Sequence, residues 1–407
     1  IYTLSLHDAL PIYELDLKAS PLKWRWCFFN FVRVFFVLKF FGKAKKMKGL
    51  YIHIPFCRQK CFYCDFFSLK YIERLAGQYI KALSIHAGGY KNTAVDTVYV
   101  GGGTPSVLSE SQIKLLMKTV VDRFDLKSVR EFTFEMNPES CCEKKLGILK
   151  DSGVNRLSLG LQSSDDKILK VLGRAHDFAA FKKAYKQVGR AGFDNFNLDL
   201  IYGLPGQSAQ DWEKELETAV GFGCGHISLY PLSIENKSVF FQKGVQTDDN
   251  LQRRMYEKAE DFLAGKGYCH YEISNWSKPG KQSLHNGNYW RNFEYIALGA
   301  GASGYENRYR YSNIGNIEKY IELVSKSMSA KSENIFIGDK EYEAEKIMLG
   351  LRLLDEGVDI KDFSGQDSLA VLGKFLKENL LVNDGGRIKL SKNAVFTSNI
   401  IMSAFMK

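Results

Sequence analysis

Three cysteines within eight residues, Cys57, Cys61 and Cys64, are the side chains of this chain best placed to do chemistry. They lie in the run Tyr51-Ile-His53-Ile-Pro55-Phe56-Cys57-Arg-Gln-Lys-Cys61-Phe-Tyr63-Cys64-Asp65-Phe66, spaced C-x3-C-x2-C. Short spacers let one loop wrap a compact inorganic core from several sides. A [4Fe–4S] cube used for electron transfer usually binds all four irons through cysteine. Three protein thiolates leave one iron open, and an open position separates a catalytic metal from a structural one. The alternative is a structural zinc, with His53 or a remote residue completing a Cys3His set. His53 alternates with Ile52 and Ile54, which equally suits a hydrogen-bonded histidine in the wall of a site. The other cysteines, Cys27, Cys141, Cys142, Cys224 and Cys269, show no ligand spacing and read as small buried hydrophobes. Eight cysteines in 407 residues are too few for a secreted disulfide scaffold. Clustered thiols in a large α/β chain fit a reducing compartment.

These thiols need a strand that ends where they begin. From residue 50 the chain alternates short β-rich runs with longer stretches of helical period. The pattern predicts strands at 50–56, 97–101, 131–136, 156–161, 195–201 and 226–231, with helices at 72–86, 109–124, 178–191 and 208–222 between them. Ser109 ahead of Ile113, Leu116 and Val120 reads as the N-cap of an amphipathic helix. Six βα units imply a parallel sheet with right-handed crossovers. Six is short of the eight of a closed barrel, so a partial barrel and an open doubly wound sheet both fit. Either way the cysteine loop follows the first strand, where α/β enzymes place their sites.

Other polar residues recur at the strand ends. Gly101-Gly102-Gly103-Thr104-Pro105-Ser106 closes the second strand and would let a ligand approach the backbone. It is not the dinucleotide fingerprint, because Ser106 stands where the third glycine belongs. Glu135, Gln162, Arg174 and Asp199 follow near successive strand ends, and His176 lies beside Arg174. A charge within an apolar run needs a partner or a ligand. An ion pair of Glu135 or Asp199 with Arg156 or Arg174 would also satisfy them. Residues 241–335 look less regular, with one helix at 250–263 and an aromatic, Gly-rich tract to residue 311. The last 70 or so residues read as a small module: helices at 341–354, 369–379 and 394–405, and a hairpin at Asn383-Asp-Gly-Gly386.

C-x3-C-x2-C after a first strand, within six βα units, resembles the radical S-adenosylmethionine (SAM) superfamily. There the open iron chelates the amino and carboxylate groups of SAM, and reduction cleaves the sulfonium to a 5′-deoxyadenosyl radical. The resemblance implies an α/β fold: a partial (β/α)6 radical SAM barrel with a C-terminal winged-helix-like α+β module. Tyr-Ile-His-Ile-Pro-Phe-Cys, Gly-Gly-Gly-Thr-Pro-Ser, Gly160-Leu-Gln162-Ser, Leu172-Gly-Arg174-Ala-His176 and Asp199-Leu-Ile-Tyr-Gly-Leu-Pro narrow it to the oxygen-independent coproporphyrinogen III oxidase-like branch. The likeness covers residues 47–407. Carried over position by position, it assigns the cluster to Cys57, Cys61 and Cys64. It assigns SAM contacts to Tyr51, Tyr63, Gly102, Gly103, Thr104, Glu135, Gln162, Arg174, Asp199 and Ile201.

That branch holds oxidases and chaperones. The oxidases continue their loop as C-x3-C-x2-C-x-C and need the fourth cysteine for turnover, although it does not ligate the cluster. This chain has Phe66 there. It also has His285-Asn286-Gly-Asn-Tyr289-Trp290, similar to the H-N-x-x-Y-W heme-binding motif of the HemW heme chaperones. A start at Met47 would lack the long N-terminal arm of the oxidases. All three differences point to the chaperones, which bind heme and a [4Fe–4S] cluster and pass heme to membrane-bound respiratory proteins. His285 would then ligate heme, since imidazole is the commonest axial donor, with Asn286 beside it and Tyr289 and Trp290 against the porphyrin. A hydrogen-bonded histidine among ordinary aromatic packing is the plain alternative. No catalytic residue is assigned. The other functions kept open are coproporphyrinogen III dehydrogenase, which decarboxylates two propionates, and a zinc-stabilised α/β binding protein.

Composition agrees with a soluble globular chain: 45% hydrophobic and 25% charged residues. The expected parts are a leader at 1–46, a radical SAM core at 47–240, a connecting region with the heme motif at 241–335, and the C-terminal module at 336–407. The net charge of +10 would prompt a nucleic-acid partner, but residues 1–46 hold eight Lys/Arg against three Asp/Glu and supply half of it. No nucleic acid is expected. The leader reads as non-native, with Met47 as the start; its segment 26–41 is apolar but interrupted by Arg33 and Lys39, so an anchor is the lesser reading. The expected location is the cytoplasm with peripheral membrane contact. Expected partners are heme and heme-accepting proteins, with a homodimer among the open assemblies.

Overall fold

The computed structural model describes residues 47–406, which form one compact unit. The leader and its apolar segment 26–41 lie outside the described residues. Six parallel strands follow one another across the sheet: β1 (Gly49–Ile54), β2 (Thr97–Gly102), β3 (Glu131–Met136), β4 (Arg156–Gln162), β5 (Phe196–Tyr202) and β6 (His226–Pro231). Between them run helices α1 (Glu73–Gly88), α2 (Glu110–Arg123), α3 (Glu143–Asp151), α4 (Phe178–Arg190) and α5 (Ala209–Gly221). Each strand pairs with the next in sequence. Right-handed crossovers that always step the same way place every helix on one face. That excludes the doubly wound sheet and leaves the partial barrel.

The two faces are written in the strand alternation. Leu50, Ile52, Val98, Val100, Phe132, Phe134, Leu157, Leu159, Leu198 and Leu200 are buried in the main apolar core with the helices. Tyr51, Tyr99, Thr133, Glu135, Ser158, Asn197 and Asp199 take the alternate positions and line the concave side. The barrel interior is therefore polar. Two helix starts are as legible as the strands. Ser109 and Ser208 each cap with a reciprocal side chain, Gln112 and Asp211, worth about 1 kcal/mol apiece. Helix α3, not expected from the pattern, has only nine residues and an N-cap, Cys142, that makes no capping bond.

The stretch expected to be irregular instead enlarges the sheet. Helix α6 (Asp249–Gly265) leads into β7 (Cys269–Glu272) and β8 (Asn275–Ser277), and β8 pairs antiparallel with β6. Helix α7 (Leu284–Trp290) precedes β9 (Tyr295–Leu298), which joins the far side of β1 in parallel. Then β10 (Ser303–Glu306), β11 (Tyr309–Asn313), helix α8 (Ile317–Ser325) and β12 (Lys331–Phe336) complete the order β7-β8-β6-β5-β4-β3-β2-β1-β9-β10-β11-β12. The two edge strands do not meet, so the barrel stays open. The tyrosines of the aromatic tract are spread among glycines, and Tyr295, Tyr305 and Tyr311 are buried once their strands pair and, for the first two, pack with Ile337.

The C-terminal module has α9 (Asp339–Gly350), β13 (Val358–Asp359), α10 (Gln366–Lys377), β14 (Leu381–Asp384), β15 (Arg387–Leu390) and α11 (Ser398–Ala404). Its sheet order β13-β15-β14, with helices against it, is the winged-helix-like arrangement. The wing turns where expected, Asn383 Oδ1 accepting from the Gly386 amide at 2.9 Å.

Candidate cluster and cofactor site

The cysteine loop begins as β1 ends, at the C-terminal mouth of the barrel. All three thiols are free and half-buried. The loop is pinned on both sides: the Phe62 amide donates to the Leu172 carbonyl at 2.9 Å, and the Phe240 amide to the Phe62 carbonyl at 2.9 Å. Two cationic or polar groups face the sulfurs. Arg174 Nη1 lies 3.5 Å from Cys61 Sγ and the Thr104 hydroxyl 3.6 Å from Cys57 Sγ. Burial pushes the Cys57 thiol up, against the pull of Thr104 and Arg174, and pushes Cys64 to about 12. Thiols held neutral by burial become ligands when a metal's charge replaces the proton.

The second strand end closes over this loop. Gly103 has no room for a side chain: a Cβ there would lie 2.8 Å from the Phe56 carbonyl oxygen and 3.1 Å from Cys57 Sγ. Gly102 takes φ +115°, and a Cβ there would meet the His53 ring at 2.6 Å. Its amide donates to Glu135 Oε2 at 3.1 Å, while the Tyr99 hydroxyl donates to Glu135 Oε1 at 2.7 Å. Burial raises the Glu135 pKa, and the nearby Asp199 carboxylate adds to that. Asp199 accepts from Asn197 Nδ2 at 2.7 Å and the Ser158 hydroxyl at 3.2 Å. Neither carboxylate pairs with Arg156 or Arg174, so the ion-pair alternative is not what the structure forms.

Arg174 reaches inward from the chain after β4. Its Nη2 donates to Asn137 Oδ1 at 2.9 Å and to the Gly160 carbonyl at 3.1 Å, leaving Nε buried without a partner. Gln162 stands beside it at a β-bulge, with φ +67°. A side chain so constrained at a strand end is re-aimed toward the mouth. Tyr63 packs with Ile201, Leu172 and Leu204 in a small apolar cluster, and its hydroxyl lies 3.5 Å from Arg174 Nη1. The ten expected SAM-contact residues thus all sit on the concave face or at the mouth, around the thiols.

Two residues here, Asn137 and Glu139, are not singled out by the sequence. Asn137 bridges Arg174 to the Thr104 hydroxyl, to which its Nδ2 donates at 3.1 Å; its position just after β3 was the available signal. Glu139 and His176 form a buried pair at 3.6 Å behind Arg174. His53 is no spare zinc ligand. Its Nε2 lies 3.1 Å from the Phe67 carbonyl, which can only accept, so Nδ1 accepts from the Tyr51 hydroxyl at 2.8 Å. Burial lowers its pKa to about 4 and keeps it neutral. Among the described residues no three His, Cys, Asp or Glu side chains converge on a single metal position. One zinc needs its thiolates about 2.3 Å from one ion; a core of several irons is free of that limit. The free thiols, the cradle at Gly103 and the orphaned Arg174 Nε suit a cluster with an anionic or nucleotide ligand beside it.

The histidine motif lies elsewhere. Helix α7 closes the N-terminal end of the strands, about 17 Å of strand away from the cysteines. Glu131, at the start of β3, accepts from the amides of Leu284 at 2.7 Å and His285 at 3.1 Å and from the Ser283 hydroxyl at 3.2 Å. His285 is fully buried, with Nδ1 2.9 Å from Thr97 Oγ1 and Nε2 2.8 Å from the Tyr289 hydroxyl. Asn286 and Trp290 are buried too. In this conformation the motif has the hydrogen-bonded, packed form of the plain alternative, and neither ring nitrogen is free for iron.

Comparison with known proteins agrees with this architecture. Residues 51–219 match the Radical SAM superfamily model and residues 339–397 the HemN C-terminal domain. The coproporphyrinogen III oxidase HemN from Escherichia coli, a radical SAM enzyme, shares the fold: TM-score 0.78 at 20% identity, covering 89% of this chain and 91% of that one. The heme chaperone HemW of Lactococcus lactis is 33% identical over 374 residues, 89% of this chain and 98% of that protein. HemW of Bacillus subtilis is 35% identical over 379 residues, 88% of this chain and 99% of that protein. At that identity over nearly the whole length of both relatives, the chain belongs to the HemW family of the radical SAM superfamily.

Proposed function

We propose that this protein is a heme chaperone built on a radical SAM barrel, binding heme and delivering it to acceptor proteins. The observation that carries the reading over an oxidase is Phe66. The cluster loop offers three thiols and then a phenyl ring where the oxidases have their fourth cysteine. The remaining described cysteines, Cys141, Cys142, Cys224 and Cys269, belong to other parts of the chain.

Cys57, Cys61 and Cys64 would hold a [4Fe–4S] cluster, with SAM at the fourth iron. Bound there, cluster and SAM supply one-electron chemistry or a regulatory switch. Gly102 and Gly103 keep the backbone low beneath them, Glu135 and Asp199 offer acceptors to an ammonium or ribose, and Tyr63 and Ile201 give an apolar wall. Arg174 neutralises thiolate charge, and Thr104, Gln162 and Tyr51 complete the polar lining. His285, with Asn286 and Trp290, would bind heme as cargo once α7 shifts. A cytoplasmic chain meeting membrane-bound acceptors, as monomer or homodimer, completes the proposal. No described helix is long and apolar enough to cross a membrane.

The test is a heme titration of the purified chain, with and without a reconstituted cluster, alongside a coproporphyrinogen turnover assay. The expected result is a Soret shift and no protoporphyrinogen. Turnover would establish the dehydrogenase instead, and no Soret change would end the chaperone reading.

A further inference from the structure

The histidine motif is closed by its own tyrosine. Tyr289 is one helical turn from His285, and its hydroxyl rests on Nε2 at 2.8 Å. On the other ring nitrogen, Thr97 Oγ1 lies 2.9 Å from Nδ1 and also accepts from Asn288 Nδ2 at 3.0 Å. A hydroxyl both donates and accepts, so Thr97 serves either tautomer of the ring. Coordination of iron through Nε2 needs the one with the proton on Nδ1 and Thr97 accepting it.

The helix is latched from outside. Arg291 grips Glu356 of the C-terminal module with two parallel hydrogen bonds, Nε to Oε2 at 2.9 Å and Nη2 to Oε1. The Arg352 guanidinium sits 4.2 Å over the Trp290 ring. Yet this packing is poorly satisfied. Asn286 Oδ1, Asn288 Oδ1, Trp290 Nε1, Asn292 Nδ2 and Arg352 Nε are all buried without a hydrogen-bond partner. Buried polar groups are normally paired, and leaving one without a partner is costly. A rearrangement that satisfied them would recover part of that cost.

We propose that Tyr289 is a positioning residue, a placeholder that occupies the iron-binding nitrogen of His285 until heme displaces it, with the Arg291–Glu356 pair holding the helix in that setting. This rests on the reading of His285 as heme ligand. Displacement exchanges the Tyr289 hydroxyl on Nε2 for the iron, with Thr97 accepting the ring proton on Nδ1 in the liganded state. It reverses the role expected for Tyr289 from its motif alone, a ring stacked on porphyrin.

The experiment is stopped-flow heme uptake by the full chain, followed at the Soret band, with the iron's axial ligand read by electron paramagnetic resonance. Tyr289→Phe and Glu356→Gln should take up heme roughly three- to tenfold faster, the factor for losing one hydrogen bond, and keep the wild-type axial signature. His285→Ala should lose that signature. Uptake at or below the wild-type rate in both of the first two variants, with His285→Ala still losing the signature, would overturn the placeholder alone. An unchanged signature in His285→Ala would overturn the ligand assignment and the placeholder with it. Should Tyr289→Phe fold poorly by circular dichroism, Glu356→Gln decides by itself, since it touches neither His285 nor Tyr289.

Discussion

Nη1 of Arg174 lies 3.5 Å from Sγ of Cys61, and Nη2 of the same guanidinium ties Asn137 to the Gly160 carbonyl. One side chain therefore joins the cysteine loop to the ends of two strands. It also places positive charge against a sulfur where burial makes charge costly.

Removing that link should loosen the cluster more than the fold. For Arg174→Gln, anaerobic reconstitution should retain less iron and sulfide than wild type, with stability lowered by about 1–3 kcal/mol for the acceptors left behind. Cys57→Ala should lose the visible absorbance altogether. Retained absorbance in Cys57→Ala would mean that other residues hold the iron.

The glycine cradle is tested by a single methyl group. In Gly103→Ala the new Cβ would meet the Phe56 carbonyl at 2.8 Å and Cys57 Sγ at 3.1 Å, and backbone cannot yield as a flexible side chain can. Overpacking of this kind costs about 1–3 kcal/mol. Equilibrium dialysis with SAM should show weakened binding, whereas native affinity would place the nucleotide away from this turn.

Glu131 is the anchor of the motif helix. Its carboxylate accepts from Ser283, Leu284 and His285 and, at 3.2 Å, from the Thr133 hydroxyl. Glu131→Ala strands all of these donors in a buried setting and should lower stability by about 2–4 kcal/mol. A urea melt gives the number; an unchanged midpoint would mean that α7 is held by its C-terminal latch instead.

Acid should destabilise the fold through its buried neutral histidines. His226 is buried with its nitrogens 2.6 Å from Asn197 Oδ1 and 2.8 Å from the Tyr271 hydroxyl, and burial holds its pKa well below the usual range. Burial lowers His86, 2.8 Å from the Tyr320 hydroxyl, to about 4. Unfolded, each would take a proton below about pH 6.5. Between pH 6.5 and 4 the unfolded chain holds more protons, so stability falls as pH falls through that window. For half-buried His86 the loss approaches about 2 kcal/mol after allowance for solvent. Melting temperatures taken from pH 7 to 5 should decline, and less steeply in His86→Gln; identical slopes would clear His86 of the effect.

The local signals in this sequence are strong where physics is local. Strand alternation separated Leu50 and Ile52 from Tyr51 and His53, because successive side chains must point to opposite faces. Ser109 announced its helix, because a cap is a bond between residues three apart. The cysteine spacing marked the loop, and strand ends marked Glu135, Gln162 and Asp199, since parallel strands all open on one mouth. What the chain could not announce is pairing between distant segments. Nothing near residue 295 says that β9 will lie beside β1, or that the Gly-rich tyrosine tract will be sheet. Nor does the motif at 285–290 reveal that it lies at the barrel's other end, with Glu131, Thr97 and Glu356 around it. Those partners stand 65 to 188 residues from the motif-helix residues they bind, and only the tertiary structure, in which buried polar groups must find partners, brings them to one helix and its end.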